Sequence, residues 1–426
     1  MTNTFVFNPL TKPTYVMSKP IGSSCNLNCS YCYYLEKQKL YENRKSFQMS
    51  DEVLERYIEN YINAQPVPEV LFTWHGGETL LRDINFYHKV IELQQRYGRG
   101  RRIDNSLQTN GVLLDDEWCR FFKANNFLIG ISIDGDEHCH NVYRKNKGGQ
   151  GTFKQVMKGI ELLQKHNIEY NTLSVINDYN VNYPLETYRF LKQIGSRYMQ
   201  FTPIVERFTQ SRPDGLSLMS AGDSDDAELA PWTVNSIEFG KFYISIFDEW
   251  VRRDVAQYYV QLFDATLAGI VGQSPGVCIF GETCGHAAAM EFNGDVYACD
   301  HFVFPEHKLG NILTHSVYEM MFSDKQLKFG ADKQDNLPSQ CFSCEYLKLC
   351  NGECPKNRIS KTANDEPNLN YLCAGYKAYF KHVKPYMEYM AEQLSKQQSP
   401  ANVMSWIREQ EKGNIRQQLR AAKRKN

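Results

Sequence analysis

Neither sign of charge prevails in this sequence: Lys+Arg number 48 against Asp+Glu 49, a formal net charge of −1. That balance excludes the broad positive field on which nucleic-acid binding depends. The opening "MTNTFVFNPLTKPTYVMSKP" lacks a basic start followed by an apolar run, so no secretory leader is read. No apolar stretch approaches the length needed to span a bilayer. The expectation is a cytoplasmic protein with neither a nucleic-acid nor a membrane partner. A disulfide framework is also disfavoured. The cysteines number 13, an odd count, and in a reducing compartment many thiols point to metal binding or catalysis.

Those thiols are bunched. Cys25, Cys29 and Cys32 stand at C-x3-C-x2-C spacing in "CNLNCSYCYYLEK", and Cys278, Cys284, Cys299, Cys341, Cys344, Cys350, Cys354 and Cys373 follow in the last third. Only Cys119 and Cys139 stand apart. Cys119, in the helical "DEWCRFF", reads as a small buried hydrophobe, whereas the pattern gives Cys139 no role. At 426 residues with 42% hydrophobic content, the chain exceeds what one core usually fills, so more than one domain is expected.

From Tyr15 to Val205, short β-branched runs alternate with longer amphipathic ones. Strands are predicted at "YVMSKPI" (Tyr15), "VLFTWHGG" (Val70), "NSLQTNG" (Asn105), "LIGISIDG" (Leu128), "YNTLSVIN" (Tyr170) and "YMQFTPIV" (Tyr198). Helical patterns separate them, the first opening after a Ser50 cap. Apolar strands alternating with helices predict a parallel sheet with right-handed crossovers. Six such units suggest an α/β partial barrel rather than a closed eight-stranded one. Beyond Val205, "RFTQSRPDGLSLMSAGDSDDAELAPWTV" reads as a long loop, then a helix and the cysteine-rich region follow. The basic helical end, "SWIREQEKGNIRQQLRAAKRKN", reads as a solvated tail.

The first three cysteines fall in the loop after the first strand, on what is the catalytic face of a parallel α/β barrel. A zinc finger would need a second close pair of ligands, and none follows nearby. Three thiolates holding a [4Fe-4S] cluster leave one iron free for a small molecule. The triad with Tyr31 before its third cysteine resembles the signature of the radical S-adenosylmethionine (SAM) superfamily. The resemblance implies that SAM binds the open iron and yields a 5'-deoxyadenosyl radical, with Tyr31 touching the adenine. It further implies that the "HGGE" turn, with Gly76, Gly77 and Glu78, binds the methionine end, although Thr79 stands where the family usually has proline. Ser132 in "SIDG" and Arg144 in "VYRKNK" would contact the ribose and carboxylate of SAM, and Val205 the adenine.

The later run "CFSCEYLKLCNGECPKN" reads C-x2-C-x5-C-x3-C-P. In the related run of two-cluster ferredoxins the cysteine before proline serves the other cluster. By that rule Cys341, Cys344 and Cys350 are completed by Cys373, while Cys354 joins Cys278, Cys284 and Cys299. Eight thiols then make two fully ligated clusters, three [4Fe-4S] clusters in all. This resembles the SPASM extension of radical SAM enzymes. Two four-cysteine zinc sites are the competing reading, because spacing alone does not choose the metal.

The motifs "LFTWHGGETL", "QTNG", "SIDGD", "CGHAAAMEFNGDVYACDHFV", "LGNI" and "CNGECPKNR" extend the resemblance over nearly the whole chain, to the anaerobic sulfatase-maturating enzymes. Those enzymes oxidise a serine or cysteine of a sulfatase, in (C/S)-x-P-x-R, to 3-oxoalanine (formylglycine). The resemblance implies Asp300 in "YACDHF" as the base, with burial raising its pKa toward the task. It implies Tyr34 as a substrate contact and reduction by a carrier such as flavodoxin or ferredoxin. His75 and His301 read as ordinary packed or hydrogen-bonding histidines. The implied division is a radical SAM partial barrel over 1–235, a SPASM region over 236–395 and a basic tail over 396–426. Two rivals stay open: a SPASM enzyme that cross-links a ribosomal peptide, and a non-enzymatic zinc-binding adaptor.

Overall fold

The computed structural model describes residues 13–43, 46–209, 216 and 227–423, with side chains in the last helix as far as residue 413. All six predicted strands form: β1 (Tyr15–Ser18), β2 (Glu69–Trp74), β3 (Arg102–Thr109), β4 (Phe127–Ser132), β5 (Tyr170–Ile176) and β6 (Tyr198–Pro203). They lie side by side in chain order and pair in parallel throughout. Helices α1 (Asp51–Asn63), α2 (Ile84–Gly98), α3 (Asp116–Ala124), α4 (Glu137–Tyr143), α5 (Phe153–Lys165) and α6 (Pro184–Gln193) make the crossovers. Ser50 caps α1, accepting from the Val53 amide at 3.3 Å. In β5 buried and half-buried residues alternate strictly, as a strand with one face on the core requires.

The sheet continues past the sixth strand. After α7 (Ser236–Arg253), a two-residue β9 (Tyr259–Val260) pairs in parallel with β6 and leads into α8 (Gln261–Ile270). At the other edge β10 (Ala287–Met290) pairs in parallel with β1. A hairpin of β11 (Asp295–Tyr297) and β12 (Lys308–Asn311) then extends it antiparallel. One ten-stranded sheet therefore carries both the barrel strands and the hairpin whose connection holds Cys299. The long loop after β6 contains a small ribbon of β7 (Arg207–Phe208) and β8 (Glu228–Leu229), while 210–215 and 217–226 lie outside the described residues.

Short helices follow the hairpin: α9 (Val317–Met321), α10 (Asp324–Asp335), α11 (Ser339–Phe342) and α12 (Leu347–Cys350). Then α13 (Cys373–Ser395) packs along α7, and α14 (Val403–Lys423) ends the description. The expected tail is thus helical to Lys423. Its side chains after 413 and residues 424–426 lie outside the described residues. Aromatic side chains such as Trp74, Phe72, Tyr87, Phe122, Phe239 and Phe247 fill the main core. Among the described residues no helix is long and apolar enough to cross a membrane.

Candidate active site

The loop after β1 carries Cys25, Cys29 and Cys32 at the C-terminal end of the parallel strands, where barrel enzymes assemble their sites. Its shape is held from two sides. The Asn28 amide donates to the Lys145 carbonyl at 2.8 Å, and Asn110, after β3, donates to Asn26 Oδ1 at 2.7 Å. Leu27, Tyr31 and Ile204 pack an apolar pocket against the three cysteines, with Val112, Tyr143, Val175 and Trp232 beside them. Burial pushes the Cys25 thiol up to about 12 and that of Cys29 to about 11, so metal binding must displace protons from both.

The HGGE turn lies directly against this loop. A Cβ on Gly77 would sit 2.0 Å from the Ser24 carbonyl oxygen, so only glycine permits the approach. The Gly77 amide donates to the Gly22 carbonyl at 2.8 Å, and Gly76 has φ +140°. Glu78 is fully buried. Its carboxylate accepts from Thr109 Oγ1 (2.7 Å) and from the amides of Asn110 (2.8 Å) and Leu80 (3.0 Å), bracing the ends of β2 and β3.

Arg144 and Tyr31 meet through a residue that the sequence pattern did not single out. Asp134, buried just beyond Ser132, pairs with Arg144 Nε at 3.0 Å and accepts from the Tyr31 hydroxyl at 2.6 Å. Ser132 Oγ accepts from Gln108 Nε2 at 2.9 Å. Val205 lies in the main core, its carbonyl bonded by Lys356, and its neighbour Ile204 is the one that lines the cysteine loop.

Asp300 follows Cys299 and faces the first loop. Its Oδ2 accepts from Tyr33 Oη at 2.6 Å, and its other oxygen is ion-paired with Lys19. Lys19, 0% exposed, lies 3.7 Å from the centre of the Tyr34 ring. Burial would raise the Asp300 pKa, but Lys19, His75 and His301 together hold the carboxyl below its ordinary range. The shift is therefore opposite to the one expected from burial. Nothing in the local pattern of "MSKPI" marks its lysine as one that turns inward. Tyr34 is 4% exposed with its hydroxyl on Glu291, whereas half-buried Tyr33 reaches Asp300. Two adjacent tyrosines carry no pattern that tells them apart. His75 accepts from the Gly76 amide at 2.8 Å and His301 packs edge-on against Tyr33, both near enough to act on the carboxylate, and Lys356 pairs with Glu206 at 2.6 Å.

The remaining cysteines fall in two places. Cys354 is buried, and its nearest cysteine influences are Cys299, Cys284 and Cys278. Cys341, Cys344, Cys350 and Cys373 line a common cavity with Tyr346, Tyr376 and Phe380. Tetrahedral zinc with Zn–S of ~2.3 Å would hold its thiolates ~3.8 Å apart. Among the described residues only Asp136, His138 and Cys139 bring three ligand atoms within 4.8 Å of one another, so no cysteine trio is drawn in tightly enough. Soft donors set wide apart fit an iron-sulfur cluster better than a lone ion. The Asp136 group lies elsewhere, and Asp136 itself caps α4. Cys119 is a core residue, as expected.

The chain matches the radical SAM superfamily over residues 20–191 and the SPASM iron-sulfur cluster-binding domain over 281–345. It is 55% identical over 403 residues to the serine-type anaerobic sulfatase-maturating enzyme of Bacteroides thetaiotaomicron, covering 95% of this chain and 97% of that one. This chain belongs to the anaerobic sulfatase-maturating enzymes. A cysteine-type member of the family from Clostridium perfringens (strain 13) is 31% identical over 88% of this chain and 97% of its own length. The solved structure of anSMEcpe with bound AdoMet and the Cp18Cys peptide aligns at a TM-score of 0.78 and 29% identity, over 90% of this chain and all of that one. The family's radical SAM partial barrel and C-terminal SPASM region are thus the fold of this chain. Streptococcus suis SuiB bound to S-adenosylmethionine, at 14% identity, covering 83% of this chain and 76% of that one, with a TM-score of 0.55, shares the fold alone.

Proposed function

We propose that this protein oxidises a serine or cysteine in a Ser/Cys-x-Pro-x-Arg segment of a sulfatase to formylglycine, in the cytoplasm. The observation that carries the reading is Asp300. It stands beside Cys299 on one side and is bonded to Tyr33, next to Cys32, on the other, so one carboxylate joins both cysteine regions. The 55% identical serine-type relative supports acceptance of serine.

In this reading Cys25, Cys29 and Cys32 hold the SAM-binding [4Fe-4S] cluster. Cys278, Cys284, Cys299 and Cys354 hold one auxiliary cluster, and Cys341, Cys344, Cys350 and Cys373 the other. Bound SAM and the clusters supply a 5'-deoxyadenosyl radical and an electron sink. Tyr31, Gly76, Gly77, Glu78, Ser132 and Arg144 form the SAM cleft, with Ile204 beside it in place of the core-packed Val205. The Asp134–Arg144 pair fixes the guanidinium that faces the SAM carboxylate. Asp300 accepts the target's side-chain proton as its Cβ hydrogen and one electron leave, which balances –CH2OH to –CHO for serine; for cysteine the same loss gives –CHS, which takes up water and releases hydrogen sulfide to reach –CHO. Tyr34 backs the substrate wall through Lys19. The division at residues 235 and 395 separates radical chemistry, electron acceptance and tail. A small carrier such as flavodoxin or ferredoxin supplies electrons, and nucleic acid and membrane have no part.

The test is mass spectrometry of an anaerobic reaction with iron-loaded protein, reductant, SAM and paired Ser-x-Pro-x-Arg and Cys-x-Pro-x-Arg peptides. Aldehyde forms on at least one peptide, and Asp300→Asn stops its formation while SAM cleavage continues. Release of 5'-deoxyadenosine with both peptides intact would favour a peptide-linking enzyme. No SAM cleavage by iron-loaded protein would remove the radical reading.

A further inference from the structure

Of the two tyrosines after Cys32, only one has a hydroxyl that faces the base. Tyr34 is closed off, its hydroxyl on Glu291 and its ring under Lys19. Tyr33 is half-buried and donates to Asp300 Oδ2 at 2.6 Å. The ring of Tyr33 is held edge-on by His301, with centroids 5.7 Å apart, and Lys356 lies 5.9 Å from its centre. The ring position is therefore fixed by contacts that do not involve the hydroxyl. Lys19 occupies the other oxygen of Asp300, so an incoming target approaches a carboxylate already engaged at both ends.

A phenol that donates its proton still has lone pairs to accept with. A serine hydroxyl is a strong donor and needs its proton steered to a base. A cysteine thiol donates weakly and ionises near pH 8.5 without such help. An acceptor placed beside the base therefore favours the oxygen target over the sulfur one. We propose that Tyr33 is a specificity-determining residue, which takes a hydrogen bond from the target hydroxyl while holding Asp300 and so favours serine over cysteine. The inference rests on the sulfatase-maturating reading above.

Both peptides compete in one anaerobic reaction with iron-loaded wild type or Tyr33→Phe, and mass spectrometry gives the ratio of kcat/KM for serine against cysteine. That ratio falls about tenfold in Tyr33→Phe, the effect of losing one useful hydrogen bond to the reacting group. The same variant makes more 5'-deoxyadenosine per aldehyde on the serine peptide. In fluorescence anisotropy its affinity for the serine peptide falls more than that for the cysteine peptide. Equal losses on both peptides, or no loss on either, would overturn the proposal. Should Tyr33→Phe fail to retain wild-type iron, Tyr33→Leu is read by the same ratio. Wild type that converts neither peptide would defeat the maturation reading itself, and this inference with it.

Discussion

Asp134 ties Arg144 and Tyr31 into one buried group, and each of its oxygens has more than one partner, including the Val175 amide at 2.9 Å. Removing it leaves a buried guanidinium without its counter-charge. Asp134→Ala therefore costs about 3 kcal/mol of stability, the usual penalty for breaking a buried pair from one side. Urea unfolding of the iron-loaded protein under anaerobic conditions reads this as a lower midpoint, with weaker SAM binding. At this scale the sequence was a partial guide. Cysteine spacing marked where thiols gather, because convergent thiols must be close in the chain or grouped in runs. Lys19, Tyr33 and Asp134 stayed hidden, because a lysine's inward turn and the choice between neighbouring tyrosines depend on what the rest of the fold brings near.

Barrel strands such as β2 and β5 were legible because they alternate buried and more open positions, and helices such as α1 show an apolar face. The two-residue β9 and three-residue β11 are below the length at which such a pattern registers. The Asn293-Gly294 pair did offer a hairpin signal, with Gly294 at φ +86°. Glycines also set how α7 meets α13. A Cβ on Gly375 would lie 2.1 Å from the Ser236 carbonyl oxygen, and one on Gly240 would lie 2.8 Å from Gly375 Cα. The two helices touch backbone to backbone there. Gly375→Val must push them apart, at a cost of about 2 kcal/mol from overpacking. Thermal unfolding monitored by circular dichroism tests this, and an unchanged melting temperature would contradict the close crossing.

At the scale of the whole molecule, the barrel and the cysteine-rich region share one sheet and meet again at the base. β10 pairs with β1, the connection between β11 and β12 carries Cys299 and Asp300, and Lys356, two residues after Cys354, is paired with Glu206 beyond β6. Length and the change of pattern after Val205 announced more than one region, but not that they would join along a strand edge. Such a join depends on pairing between residues some 270 apart, as in Tyr15 with Ala287, which local pattern cannot register. The joined architecture places Asp300 between the first cysteine loop and the later cysteine groups. The most direct test uses a Ser-x-Pro-x-Arg peptide whose serine Cβ carries deuterium, with iron-loaded protein, SAM and reductant. Deuterium recovered in 5'-deoxyadenosine, in step with aldehyde on the peptide, is the predicted result. Aldehyde without deuterium in that product, or a labelled product with the serine unchanged at the end of the reaction, would contradict it.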